Sequence, residues 1–240
     1  PRRAASESVF ARAASIRCDP LRSQFDYPRA LARQPLPKGP NVAVVANAGG
    51  AGIMAVDAIE RQGLTLAALA EETHQRLREG LPPAANILNP VDVLGDALSD
   101  RYEVALNAVL DDPNVHAVLA LLTPHAMTEC PPTARVVVQA AQRSDKPILA
   151  SFLGARRMDE AVQILRDGGV PQYDSPESAV GAVKAMSTYA RWRGRPKRVV
   201  RVFPVNRRKV EQIIQRHLRR KALEIGEMES HDILQAYGFL

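Results

Sequence analysis

Short apolar runs alternate with helical segments through the middle of the chain, and that alternation admits few folds. Asn41–Asn47, with Val42, Val44 and Val45, reads as a short buried strand. Val115–Leu122, apolar except at His116, and Pro147–Phe152 read as strands covered on both faces. Leu64–Leu69 and Val170–Tyr173 are weaker strand candidates. Helical patterns separate them. Ile53–Gln62 ends at Gly63, and Glu71–Glu79 is closed by Gly80, both as C-caps. Arg101–Leu110 is begun by Ser99 or Asp100 as N-cap, and Pro176–Arg191 is capped by Ser175. Pro132–Arg143 and Asp159–Asp167 complete the set, and Gly49–Gly52 reads as a turn.

Strands that alternate with helices of about ten residues imply right-handed βαβ units and a parallel sheet with helices on both faces. Four or five strands over residues 40–190 predict an α/β, flavodoxin-like, doubly wound domain. Residues 1–39 form an N-terminal extension, with helices expected at Glu7–Ala14 and Leu21–Arg33. Pro28 should end or kink the second, and a proline-rich linker runs over 34–40. In residues 191–240, helices are expected at Asn206–Leu223 and Ser230–Ala236, the latter ending at Gly238. They are too small for a core of their own. A chain beginning at Pro1 is expected to be a piece of something longer.

Charge is concentrated in that last part. Between Arg191 and Lys221 stand 13 Lys/Arg against Glu211 alone, a net of +12, while the remaining 19 basic and 25 acidic residues give −6. Trp192 and Phe203 are the only aromatics in the basic segment, and it holds no nucleic-acid motif. It therefore reads as a basic linker and solvated helix face rather than a nucleic-acid surface. No apolar run approaches the ~20 residues of a membrane span. The two cysteines, Cys18 and Cys130, form no CxxC pair, and there is no signal peptide. Both points suit a reducing cytoplasm.

Asn47-Ala-Gly-Gly-Ala-Gly52 follows a strand and opens a helix. Backbone N–H groups without side chains at a positive helix end make a phosphate or carboxylate site. The pattern is neither GxGxxG nor a Walker loop, so it indicates no dinucleotide and no P-loop nucleotide. A tight strand-to-helix turn without a ligand explains it equally. Asn89, Asp92, Thr123 and Ser151 are cleft candidates: Asn89-Pro-Val-Asp92 lies between Pro82-Pro83 and Val93-Leu-Gly95, where a turn capped by Asp92 explains it equally, and Thr123 and Ser151 end strands at the edge where open sheets bind ligands, though caps on the next helix explain both equally. Of His74, His116, His125, His217 and His231, only His125 is near that edge, and none has a zinc spacing. Cys130 reads as a helix-start residue. With no GxSxG or SxxK, the chain shows no nucleophile of its own, so no catalytic or metal-binding residue is assigned.

These stretches together resemble the NDP-forming acyl-CoA synthetases, the family of ADP-forming acetate–CoA ligase and a relative of succinyl-CoA synthetase. The match runs over 41–61, 63–74, 81–97, 117–128, 146–154 and 170–180. Asn47–Gly52, Asn89–Asp92 and the final Ala236-Tyr-Gly238 carry its specificity. The resemblance identifies residues 40–190 as a ligase-CoA domain and 226–239 as the start of an ATP-grasp segment. It implies a cytoplasmic ligase that makes acyl-CoA from a small carboxylic acid, CoA and ATP by way of an acyl phosphate and a phosphohistidine. The histidine sits in a Ser-His-Thr-Gly loop absent from this chain. The isolated chain is expected to be inactive and to hold no cofactor, with ATP/ADP, Mg and CoA used by the complete enzyme. Its partners would be the CoA-binding and phosphohistidine domains and the ATP-grasp module, with no membrane. The resemblance gives Asn47, Gly49, Gly50, Ala51 and Gly52 a phosphate-binding role. Ala51 stands where proline is frequent and so keeps an N–H; Ala46 replaces a usual threonine. Some relatives fuse the same domains to a protein-lysine acetyltransferase, which leaves an acyl-CoA-sensing module as the alternative.

Overall fold

The computed structural model describes residues 10, 13, 15–18, 21–154, 158–195 and 205–239, and the chain divides into units 1–195 and 196–240. In unit 1 the elements follow as α1 (Ser23–Arg33), β1 (Asn41–Ala46), α2 (Gly49–Arg61), β2 (Thr65–Leu66), α3 (Glu71–Gly80), β3 (Val91–Asp92) and α4 (Ser99–Asp111). Then come β4 (Ala117–Leu122), α5 (Cys130–Arg143), β5 (Ile148–Phe152), α6 (Asp159–Asp167) and α7 (Pro176–Arg193).

All five strands pair in parallel, in the order β2-β1-β4-β5, with β3 also on β1. β2 meets the start of β1 at Asn41 and Val42, and β3 meets its end at Val45 and Ala46. The order reverses between β1 and β4, so the crevice outside their carboxyl ends is the topological switch point of this doubly wound sheet. Alternation along each strand feeds two cores. Ala43, Val45, Val118, Ala120, Ile148 and Ala150 face α3–α6, packing on Leu77, Leu106, Val137 and Leu165. Val42, Val44, Ala46, Leu119, Leu121 and Leu149 face α1, α2 and α7, packing on Ala30, Ile59, Val180 and Met186. The central strands are thus apolar throughout because both faces are covered.

Several local expectations shift. Leu64–Leu69 pairs over Thr65 and Leu66 alone, and Val170–Tyr173 makes a single bridge, Gln172 to Ala150, beyond β5. The expected turn at Gly49–Gly52 is the first turn of α2. Gly63 does close that helix, at φ +64°. Gly80 instead ends α3 from within: a Cβ there would lie 2.5 Å from Val104 Cγ1, so smallness rather than backbone freedom suits glycine. α4 begins two residues early, and Leu98, not Ser99 or Asp100, is its N-cap. Ser175 does cap α7, accepting from the Ser178 N–H. Pro28 lies inside α1 without ending it. The carbonyl it leaves without a partner belongs to exposed Gln24, which water can satisfy. The helix expected over Glu7–Ala14 lies mostly outside the described residues.

Among the described residues, unit 2 has α8 (Arg207–Arg219), capped by the Asn206 side chain, and α9 (Glu227–Ala236). Val210 and Ile213 are its only buried residues among those described.

Candidate anion site at the sheet's carboxyl edge

β1 delivers the chain to Asn47 at the switch point. The Asn47 amide is buried and spent on its neighbour: Oδ1 accepts from the Thr123 N–H and Nδ2 donates to the Thr123 carbonyl, both at 2.8 Å. This pair of hydrogen bonds fastens the end of β1 to the end of β4 and fixes where α2 can start. Thr123 joins the site through its backbone.

Ala48 is the N-cap of α2, extended and without a side chain to offer. The first helical bond runs from the Gly52 N–H to the Ala48 carbonyl, at 3.2 Å. The N–H groups of Gly49, Gly50 and Ala51 therefore have no acceptor among the described residues. They lie at the positive end of a 13-residue helix. A Cβ at Gly50 would meet nothing within 4 Å, so the mouth of this turn is open.

The segment from 89 to 97, which includes β3, forms a second wall, beginning with a cis Asn89–Pro90 bond. Pro90 packs on the first turn of α2, 3.4 Å from where a Gly52 Cβ would stand. Asp92 Oδ2 lies 3.6 Å from the corresponding point on Gly49, while Oδ1 accepts from the Leu94 N–H at 2.9 Å. Leu94 has φ +75°, a left-handed conformation a leucine adopts only under constraint. Arg101 supplies part of it, donating to the Val93 carbonyl and pairing with Asp96. The third wall is the loop after β4, where the His125 ring lies 3.3 Å from a Cβ position on Gly95.

Asn89 does not face this crevice. Its Oδ1 accepts from the Val44 N–H, and its Nδ2 donates to the carbonyls of Val42 and Ala67, each at 2.9 Å. The side chain completes the edge of β1 in the gap between β2 and β3. Ser151 is also apart: it is fully buried opposite Leu121, and its hydroxyl has no partner. The crevice thus joins Asn47, Gly49, Gly50, Ala51, Gly52, Asp92 and the Thr123 backbone, leaving out Asn89 and Ser151. Leu94 and Tyr102 escaped the sequence reading. The buried Tyr102 hydroxyl donates to the Leu121 carbonyl at 2.6 Å, and burial, then the Asp92 charge, push its pKa well up. Its helical spacing marks it only as core; Leu94 leaves no sequence signal.

Among the described residues no three metal-type ligands come together, and no helix is long and apolar enough to cross a membrane.

The model of the Ligase-CoA domain matches residues 42–197. The chain is 32% identical over 236 residues to the ADP-forming 4-hydroxybutyrate–CoA ligase of Nitrosopumilus maritimus, covering 97% of this chain and 33% of that protein. It is 32% identical over 192 residues to subunit alpha of ADP-forming acetate–CoA ligase I of Pyrococcus furiosus, covering 79% of this chain and 41% of the subunit. Among solved structures, an acetyl-coenzyme A synthetase 1 of Candidatus Korarchaeum cryptofilum, in complex with phosphate and ADP, superposes with a TM-score of 0.73 at 32% identity, covering 79% of this chain and 41% of that one. The chain spans a third to two fifths of the length of these relatives.

Proposed function

This chain belongs to the Ligase-CoA domain family, and from that premise we propose that it is the phosphoryl-receiving part of an ADP-forming acid–CoA ligase. In the complete enzyme a small carboxylic acid, CoA and ATP would become acyl-CoA, ADP and phosphate. The nucleotide, its Mg and CoA would be held by the remaining domains or subunits, among them an ATP-grasp module. The phosphoryl group would arrive on a histidine of one of those domains, since this chain has no Ser-His-Thr-Gly loop.

One observation carries this reading: three consecutive peptide N–H groups, of Gly49, Gly50 and Ala51, open at the switch point without an acceptor among the described residues. A phosphoryl group carries nearly two negative charges and three acceptor oxygens. Donors already fixed by β1, by the Asn47–Thr123 clamp and by the helix itself need no reorganisation when that charge arrives. Glycine at 49 and 50 keeps side chains out of the approach. Asp92 and the β4 loop narrow the crevice from the other sides. The carboxylate beside Gly49 opposes a lingering dianion, which suits a group that must be passed on.

Gly50 provides the test, because a side chain there meets only open space. Gly50→Asp in the complete ligase should lower kcat by about 100-fold or more, as loss of a preorganised donor site does. Gly50→Ala should stay close to wild type. Equal turnover by the aspartate variant would defeat the proposal, as would thioester formation by the 240 residues alone.

A further inference from the structure

The outer edge of the sheet, beyond β5, holds an opening that the ligase reading does not use. α1 covers one face of the sheet there and α6 the other. Between them lies a cleft of about 140 Å³, whose lining includes Arg29 and Arg33 from α1, Val162 and Arg166 from α6, and Pro171 and Gln172 from the edge itself. No described carboxylate lines it.

The three arginines are held differently. Arg29 pairs with the buried Asp26 and lies over the Tyr173 ring, 5.2 Å from its centre. Arg33 donates one N–H to the Arg166 carbonyl in the last turn of α6. These contacts fix both side chains and leave each guanidinium with further N–H groups to give. The Arg166 guanidinium has no hydrogen bond or ion pair among the described residues. Asp26 is the one carboxylate paired with any of the three, and it is shared with Arg22. The floor adds a neutral donor. Ala150 of β5 donates to the Pro171 carbonyl and accepts from the Tyr173 N–H, both at 2.9 Å. In a parallel ladder the residue between them, Gln172, turns its own N–H away from β5, towards the open edge. The Gln172 side chain is spent on Phe152, accepting from its N–H at 3.0 Å and donating to its carbonyl at 3.2 Å. The backbone N–H of Gln172 has no acceptor among the described residues.

We propose that this cleft binds a small oxyanion, a carboxylate or phosphate group, which bridges α1 to α6 across the edge of the sheet. Its oxygens accept from the Gln172 N–H and from the guanidiniums of Arg166 and Arg33, whose planar forks match either group. Its charge offsets the cations that the fold gathers there with one shared carboxylate to balance them. Val162 and Pro171 offer apolar contact to a short aliphatic tail. The volume is well below the roughly 300–1,000 Å³ of sites that enclose drug-sized ligands, so a whole nucleotide or CoA does not fit. The site is separate from the first turn of α2 and does not depend on the function proposed for it.

The test adds acetate, butyrate or inorganic phosphate to the 240-residue chain, each against chloride at equal ionic strength. The Gln172 amide and the Arg166 Nε–H should shift saturably with at least one of them, and the urea midpoint should rise as the same anion saturates. Saturation by either chemistry supports the proposal, and the anion that achieves it tells a carboxylate site from a phosphate site. Arg166→Gln alters a side chain that no described contact needs, so the fold should hold. It should weaken binding by about tenfold or more, the scale of one charge-assisted hydrogen bond. Gly50→Asp should leave these shifts intact, which separates this site from the one on α2. Shifts that grow linearly with all three anions, or an Arg166→Gln chain that binds as wild type does, overturn the proposal.

Discussion

The two ends of the sheet in unit 1 are built on opposite plans. At the amino end, polar groups close on one another. The buried Asp112 accepts from the Ala70 N–H and the Thr73 hydroxyl through Oδ2, and from the Asn114 N–H through Oδ1. Lys146 closes the end of α4, donating to the carbonyls of Leu110 and Asp112 at 2.6 Å each, and burial lowers its pKa. His116 Nδ1 accepts from the Asn41 N–H at 3.1 Å. At the carboxyl end the same fold leaves three N–H groups without acceptors among the described residues, a leucine in a left-handed conformation and a carboxylate oxygen beside a glycine. The first pattern is what stability demands of buried polar groups. The second leaves the polar capacity that the proposed anion would use.

Breaking each end separately should therefore have different consequences. The largest effect is expected at the carboxyl end, where Gly50→Asp should remove about 100-fold or more of the ligase kcat while leaving the domain's melting temperature near wild type. At the amino end Asp112→Ala strands the Ala70 and Asn114 N–H groups and the Thr73 hydroxyl. It should cost about 3 kcal/mol in urea unfolding, with activity per folded molecule retained. Loss of activity without loss of stability there would erase the contrast between the ends.

His116 sharpens the comparison through pH. Burial, then the charges of Lys146 and Lys38, lower its pKa below the usual 6.5. The unfolded chain thus takes up this proton at higher pH than the folded one. The stability from the neutral ring is fully present above pH 6.5 and is lost as pH falls through the lower folded value. Urea midpoints should decline over that interval, and His116→Gln should remove that part of the decline. A wild-type midpoint that rises on acidification through that interval would contradict the assignment.

The smallest effect belongs to Ser151. Its hydroxyl is buried without a partner, so Ser151→Ala should be neutral or stabilising by up to about 1 kcal/mol and leave activity unchanged. A drop in ligase rate would return Ser151 to the site.

β1, β4, β5 and most helices were legible because their apolar patterns report burial directly. β2 was less so. Leu64–Leu69 looks like a full strand, but only Thr65 and Leu66 pair with β1, and the side chain of Asn89 takes the next positions. A side chain standing in for a strand leaves no periodic trace. The same tertiary role took Asn89 out of the cleft. Ser151 was misplaced for a related reason: in a strand covered on both faces, alternation no longer says which residues reach a ligand. The Asn47–Gly52 stretch was legible as an open strand-to-helix junction, the basis of the proposed anion site, because context and composition agree there. Its glycines disguised the helix start as a turn, since their low propensity says little about a first turn whose N–H groups are free in any case.

The claim that the open first turn of α2 receives an anion is tested most directly by following the backbone amides of the 240-residue chain while inorganic phosphate is added. The account predicts saturable shifts at Gly49, Gly50 and Ala51 that disappear in Gly50→Asp. Phosphate that leaves those three amides unmoved and shifts only the basic α8 would contradict it.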